Sequence, residues 1–437
     1  MNLYVRITQL IDRYGLHIRN VAYFLGTRAF AIIAFVLVVP FFIRNASEEQ
    51  YGLAAIGFSL LTIATVLDVA FGYVLVQSLG RRFARGRKLA TKTIHGLFSF
   101  YLLLTCVVAF GCVLALIALQ LPLGETIMYG SLAAMLPALC VSGVVAAVFQ
   151  SQNQLKPINL SRFGLELSKA LALAISGLIA QDISLIGPLL LLAAYVRAAL
   201  DVRYLAIQHG IKLRLRVNGQ VNRYWRLARL GMPSFFIVAI TALVTIGDKL
   251  LIKGTFNTEA VAYYSVAYDI NTKAYLLVSA VNTAMFAVVL HRFARKNSTF
   301  APLAVGLTTV SLVAALYYFP LLVFAPTILG HWVSSDFALN AVPLTRVMIL
   351  ASLLYLYANV FENALTAMGC ARQVLYVYVA AIIMYGLCVS YAIWQQLLIG
   401  FMYSYLMLCI VLCIGFIFQY WLITRPTPTT GVKHACS

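Results

Sequence analysis

Hydrophobic positions in this chain gather into runs of spanning length, at 20–43, 51–79, 93–119, 125–149, 158–180, 183–206, 230–253, 259–290, 301–325, 340–368, 373–395 and 398–423. About 20 residues, rising 1.5 Å each, cross the hydrocarbon core of a bilayer, so the pattern predicts about twelve transmembrane helices. The polar residues inside the runs are ordered too. Between Glu259 and Arg295, Tyr264, Tyr268, Asn271 with Thr272, Tyr275, Ser279 and Asn282 recur at steps of three or four, which places them on one helical face. Asp269 and Lys273 stand beside that face with the four-residue spacing that permits pairing. Polar groups at bilayer depth are costly unless they meet protein or water, so this face is expected to line a cavity.

Other runs carry similar stripes. The first span has Asn20, Tyr23, Thr27 and Arg28, and the second has Ser59, Thr62, Thr65 and Asp68; Arg28 and Asp68 are expected at similar depth, where they can pair. Span seven presents Ser234, Thr241, Thr245 and Asp248, and span ten presents Ser352, Tyr355, Asn359, Glu362 and Thr366. Glu166 with Lys169 in span five, and Arg197 with Asp201 in span six, have in-helix pairing distances, so each either satisfies its partner or meets cargo. Spans three, four, nine and twelve are nearly uniformly apolar. Glu362 lacks a local base and faces a polar stripe, which makes it a candidate proton carrier, with hydration at the cytoplasmic edge as the alternative.

The halves echo one another. Arg82-Phe83-Ala84-Arg85 at the inner end of span two returns as Arg292-Phe293-Ala294-Arg295 at the end of span eight. Six spans per half is an even number, so the halves share an orientation and are expected to be related by an axis along the membrane normal, with a cavity between them. The expected organisation is an interfacial amphipathic helix at 1–19, an N-lobe at 20–207, a basic cytoplasmic linker at 208–229, a C-lobe at 230–424 and a cytoplasmic tail at 425–437.

Composition sharpens this reading. The chain of 437 residues is 62% hydrophobic and 10% charged, far from the balance of a soluble domain. Its net charge of +19 could suggest nucleic acid, but the bases cluster at Arg81, Arg82, Arg85, Arg87, Lys88 and Lys92, and again from Lys212 to Arg229. Both clusters fall on the side that the positive-inside rule makes cytoplasmic, and contact with anionic headgroups accounts for them without nucleic acid. Both termini are then cytoplasmic. The eight cysteines form no Cys-x-x-Cys motif and read as small core hydrophobes, so neither metal nor cofactor is expected. The N-terminus has no apolar core followed by a cleavage site, so no removable signal peptide is expected.

Several stretches resemble the polysaccharide flippases of the multidrug/oligosaccharidyl-lipid/polysaccharide (MOP) exporter superfamily, the O-antigen transporter (Wzx) type. They are Pro40, Glu48-Glu49-Gln50-Tyr51-Gly52-Leu53, Leu67-Asp68-Val69-Ala70-Phe71-Gly72, Gly231-Met232-Pro233, Gly247-Asp248-Lys249, Ala262-Tyr263-Tyr264-Ser265-Val266-Ala267 and Asn363-Ala364-Leu365-Thr366-Ala367-Met368-Gly369. The resemblance implies a two-lobed, twelve-helix, all-α membrane protein of the bacterial inner membrane. It implies a flippase that moves an undecaprenyl-pyrophosphate-linked oligosaccharide, such as an O-antigen unit of lipopolysaccharide, to the periplasmic leaflet by ion-coupled alternating access. Membrane lipids and the polysaccharide polymerase and chain-length machinery are the further partners it implies. The lipid II branch has two more C-terminal spans than are found here, which disfavours a peptidoglycan precursor as cargo.

Arg28 and Lys273 occupy positions where the family pattern expects in-span bases. An Arg fork suits phosphate oxygens, so Arg28 is the first choice for the pyrophosphate. The candidate cargo site adds Asp68, Tyr268, Asn271, Tyr275, Asn282, Lys169 and Arg197, and the ion-coupling candidates are Glu362, Asp269 and Asp248. A cation-coupled multidrug exporter of the same superfamily is the alternative, disfavoured by in-span bases. A membrane-embedded polymerase or ligase is more remote, because the outer loops are short. No Gly-rich phosphate loop is present for ATP hydrolysis.

Overall fold

The computed structural model describes residues 26, 29–61, 79, 87–152, 154–215, 221–294 and 298–425. Arg28, Asp68, the expected interfacial helix at 1–19, the Arg82–Arg85 tetrapeptide, Arg295 and the tail beyond residue 425 lie outside the described residues.

Among the described residues the chain is helical. The helices are α1 (Ala29–Asn45), α2 (48–61), α3 (Arg87–Ala118), α4 (Leu123–Ala134), α5 (Leu136–Ser151), α6 (Leu155–Ile175) and α7 (Ile186–His209). They continue as α8 (Val221–Thr255), α9 (Thr258–Ala294), α10 (Phe300–Val313), α11 (Phe319–Trp332), α12 (Ser335–Ala367), α13 (Ala371–Trp394) and α14 (Leu398–Thr424). Taking α4 with α5 and α10 with α11 as one span each, these helices make six spans before Gly210 and six after Val221. Seven segments among the described residues are long and apolar enough to cross a membrane by length and composition, from Thr93–Ala118 to Leu398–Thr424. The protein is an all-α, multi-pass membrane protein.

Local chemistry sets the breaks. Pro137 sits in the first turn of α5, where its missing N–H costs nothing, and its ring excludes a continuous helix through Ala133, so α4 ends at Ala134. A π-helical turn, Ala314–Tyr318, precedes Pro320 and absorbs the register that the proline cannot accept. Gly210 closes α7 with φ 57°, its N–H donating to Ala206 O, a left-handed cap that glycine adopts without strain. Ser334 caps α12 by accepting from the Phe337 N–H at 3.1 Å, and Asp336 in the first turn complements the helix dipole. Several boundaries differ from expectation. The ninth span continues to Trp332 rather than 325, because Pro326 is carried inside α11, and α8 starts at Val221 within the stretch expected as linker.

The chain divides into two compact units, Met1–Ala46 with Leu60–Met232, and Ser47–Ser59 with Pro233–Ser437. In unit 1, α3 and α5 interlock through Ile94, Leu97 and Tyr101 against Val144, Val148 and Phe149. Helices α4 and α7 approach so closely that a Cβ on Gly187 would lie 2.7 Å from Met128 Cα. In unit 2, α9, α12, α13 and α14 form the packed centre; a Cβ on Gly415 would lie 2.5 Å from Val377, and one on Gly306 would lie 2.9 Å from Val360. Such small-residue contacts hold membrane helices together, where lipid offers no hydrophobic penalty for separation. Large apolar side chains such as Leu123, Leu316 and Leu339 point outward, as lipid-facing surfaces require.

Candidate functional site

The polar stripes of spans seven, eight and ten converge inside unit 2. On α8, Thr241, Thr245 and Asp248 follow each other at helical spacing, and Asp248 is fully buried. One carboxylate oxygen of Asp248 accepts from the Tyr264 hydroxyl of α9, and the other accepts from the Tyr385 hydroxyl of α13. A buried carboxylate thus ties three helices together through neutral donors. Tyr268 shares a hydrogen bond with Thr245 at 3.2 Å, stacks on Tyr264 at 6.2 Å and meets the edge of Tyr405 on α14 at 5.7 Å. Lys249, 3% exposed, places its ammonium 5.9 Å from the Tyr268 ring centroid and donates to Ala55 O at 3.3 Å.

A second cluster joins α9, α12 and α13. Glu362 Oε2 accepts from Tyr378 on α13 at 3.1 Å and from Asn359 Nδ2 at 3.2 Å. Asn359 Oδ1 accepts from Asn282 Nδ2 at 2.7 Å and from Asn363 Nδ2 at 3.0 Å. The Oδ1 atoms of Asn271 and Asn282 are buried and have no hydrogen-bond partner among the described residues. Between the clusters, the Tyr275 and Tyr355 rings lie 5.9 Å apart. Tyr317 and Tyr318 of the π-helical turn donate to Ile270 O at 2.6 Å and Asn271 O at 2.8 Å. The result is a seam of tyrosine hydroxyls and asparagine amides with a carboxylate in each cluster, fully buried at Asp248 and half-buried at Glu362. Such groups can take up and release a proton or a monovalent cation. Among the described residues, no three His, Cys, Asp or Glu side chains converge on a metal-sized site.

Six of the candidates from the sequence, Asp248, Tyr268, Asn271, Tyr275, Asn282 and Glu362, therefore sit in one seam of unit 2. Tyr264, Asn271 and Asn282 are almost wholly covered by protein, so in this structure their face meets neighbouring helices rather than an open space. Asp269 and Lys273 are half-buried on the flank, and both act electrostatically on Lys249. Lys169 and Arg197 belong to unit 1. Lys169 Nζ is 3.0 Å from Glu166 Oε1, and Arg197 Nε is 3.7 Å from Asp201 Oδ2. Ser161 links the second pair, accepting from Arg197 at 2.6 Å and donating to Asp201 at 2.9 Å. For both pairs the structure shows the in-helix partner.

Tyr317, Tyr318, Tyr378, Tyr385, Tyr405 and Lys249 also belong to these clusters and are not among the candidates that the sequence pattern singles out. Tyr378 and Tyr385 are seven residues apart, two helical turns on one face, which was a usable signal. Tyr405 sits in a span that reads as uniformly apolar, where a lone hydroxyl leaves no periodic mark.

No family model matches the sequence, and no curated protein matches it. Solved structures do match in fold. An inward-facing multidrug resistance MATE family transporter of the MOP superfamily aligns with a TM-score of 0.76 at 12% identity, over 91% of this chain and 97% of the other. The lipid II flippase MurJ, in an inward closed conformation, aligns with a TM-score of 0.71 at 11% identity, over 94% of each chain. A MOP superfamily transporter from Pyrococcus furiosus, described as having a binding pocket of reversed polarity that suggests a different function, aligns at 0.68 with 12% identity, over 92% of each. The fold is that of MOP superfamily transporters.

Proposed function

We propose that this protein is an ion-coupled flippase for an undecaprenyl-pyrophosphate-linked polysaccharide repeat unit, working by alternating access from the cytoplasmic to the periplasmic leaflet of a bacterial inner membrane. The observation that carries the reading is the combination, in one transporter fold, of in-span bases with a tyrosine and asparagine seam. Lys249 and Lys273 are bases within the spans, where a diphosphate needs a counter-charge. Hydroxyl and amide groups suit sugar hydroxyls. Arg28 remains the first choice for the pyrophosphate, and Asp248 and Glu362 are assigned to coupling, because each is a carboxylate held by neutral donors. The shared fold with a lipid II flippase supports a lipid-linked cargo.

The second reading, export of small organic cations, is favoured by the same two carboxylates and by the shared fold with multidrug transporters. The experiment that separates them is a deletion strain. Loss of the protein should leave the lipid-linked repeat unit on the inner leaflet and abolish surface polysaccharide, with Arg28→Ala and Lys273→Ala inserted but impaired. Normal polysaccharide with increased sensitivity to cationic drugs would instead establish the exporter.

A further inference from the structure

Arg346 is an in-span arginine that the tyrosine and asparagine seam does not use. It is exposed, and it follows Ser335 by eleven residues, about 16 Å along the axis of α12. Phe337 and Tyr355, each nine residues from it, touch the Tyr263 and Tyr275 rings of α9 at centroid distances of 5.0 and 5.9 Å. Nine residues make two and a half helical turns, so Arg346 leaves α12 on the side opposite α9 and the seam. Leu339, Pro343 and Leu350 share its row and are exposed, Leu339 to 76% and Leu350 to 50%. Such a row faces lipid.

A guanidinium in that setting needs partners. The positions three and four residues away on its own helix are Val342, Pro343, Ile349 and Leu350, so no acid can pair with it there. Among the described residues Arg346 has no ion pair and no hydrogen bond. Pro343 adds a second unmet group to the row, because it lacks the N–H that Leu339 O would accept in an unbroken ladder. The Cα–Cβ bonds of a helix tilt toward its N-terminus, which carries the Arg346 side chain toward the Ser335 end and that carbonyl. A charge and an open carbonyl at bilayer depth both require something polar to enter from the nearer membrane surface.

A lipid headgroup meets that need. The guanidinium fork matches phosphate oxygens, while Leu339 and Leu350 offer apolar contact to acyl chains. An anionic phospholipid suits the row better than a zwitterionic one, whose own ammonium already offsets its phosphate. We propose that the exposed row of α12 from Leu339 to Leu350 is a binding site for an anionic phospholipid, whose phosphate Arg346 holds below the level of the surrounding headgroups. The site lies on the side of α12 away from the seam, so it stands whatever cargo the protein carries.

The test is photo-crosslinking of the full-length protein in nanodiscs that contain phosphatidylglycerol with a diazirine near its glycerol, the labelled peptides being mapped by mass spectrometry. Peptides covering 339–350 should be labelled in the parent protein. Labelling should fall about tenfold in Arg346→Met, as the loss of one charge-assisted contact predicts, and to an intermediate level in Arg346→Lys. Methionine suits a lipid-facing position, so Arg346→Met should melt no lower than the parent; a lower melting temperature would reveal a protein partner for Arg346 and overturn the site. Equal labelling in Arg346→Met and the parent would also overturn it. So would modification of Arg346→Cys by a membrane-impermeant thiol reagent as fast as Gln395→Cys in the exposed turn after α13, because the row would then line an aqueous space. Displacement of the phospholipid by equimolar undecaprenyl pyrophosphate would make the row a cargo site instead.

Discussion

Asp248 concentrates the energetics of unit 2 in one side chain. Its two oxygens satisfy two buried hydroxyls, so Asp248→Ala leaves Tyr264 and Tyr385 without their acceptor, at a cost of about 1–3 kcal/mol for each orphaned group. A large drop in the melting temperature of the detergent-solubilised protein is expected, with a smaller drop for Asp248→Asn, which keeps acceptor capacity on one side. An Asp248→Ala protein as stable as the parent would show that the carboxylate does not anchor α8, α9 and α13. Glu362→Gln is the matching test of chemistry rather than stability. A glutamine carbonyl still accepts from Tyr378 and Asn359, so folding should persist, while coupling through a titratable oxygen is lost and the ion dependence of transport disappears. Both acids were legible in the sequence, because a carboxylate within an apolar run stands out. Of their tyrosine partners, Tyr264 was legible in the stripe of span eight, whereas Tyr378 and Tyr385 left only a seven-residue spacing in a span with no other polar residue on that face.

Helices α9 and α12 were readable as elements from the period of their polar residues, and the pairing between them was not. Asn282 and Asn359 sit on separate stripes 77 residues apart, and only packing brings their amides to 2.7 Å. A double-mutant cycle of Asn282→Ala and Asn359→Ala should give a coupling of about 0.6–1.7 kcal/mol, the range for hydrogen bonds between membrane helices. Close approach is the other property of elements that sequence hides. Nothing distinguishes Gly187 from other glycines along the chain, yet its backbone lies against Met128. Gly187→Val should overpack the α4–α7 contact by about 1–3 kcal/mol and lower the yield of folded protein, while Gly124→Ala, where a Cβ meets nothing within 4 Å, should not. Helix ends moved for related reasons. Proline usually stops a helix, and Pro326 and Pro343 are instead carried within α11 and α12, which lengthens both beyond the boundaries that hydropathy marks.

For the molecule as a whole, the all-α membrane class and the run of spans could be read from hydropathy, because bilayer thickness imposes a length that few other constraints imitate. The placement of 47–59 in unit 2 could not, since a contact between distant stretches of chain leaves no local trace. What the protein carries across the bilayer separates the flippase from the exporter. The most direct measurement is flipping in proteoliposomes loaded with a fluorescent undecaprenyl-pyrophosphate-linked oligosaccharide, with cargo exposure on the outer leaflet followed by a membrane-impermeant quencher. Transfer is expected to require the protein, to run with an imposed ion gradient and to lose its dependence on that gradient in Glu362→Gln. Transfer no faster than in empty liposomes, with uptake or release of an organic cation by the same preparation, would contradict the flippase reading.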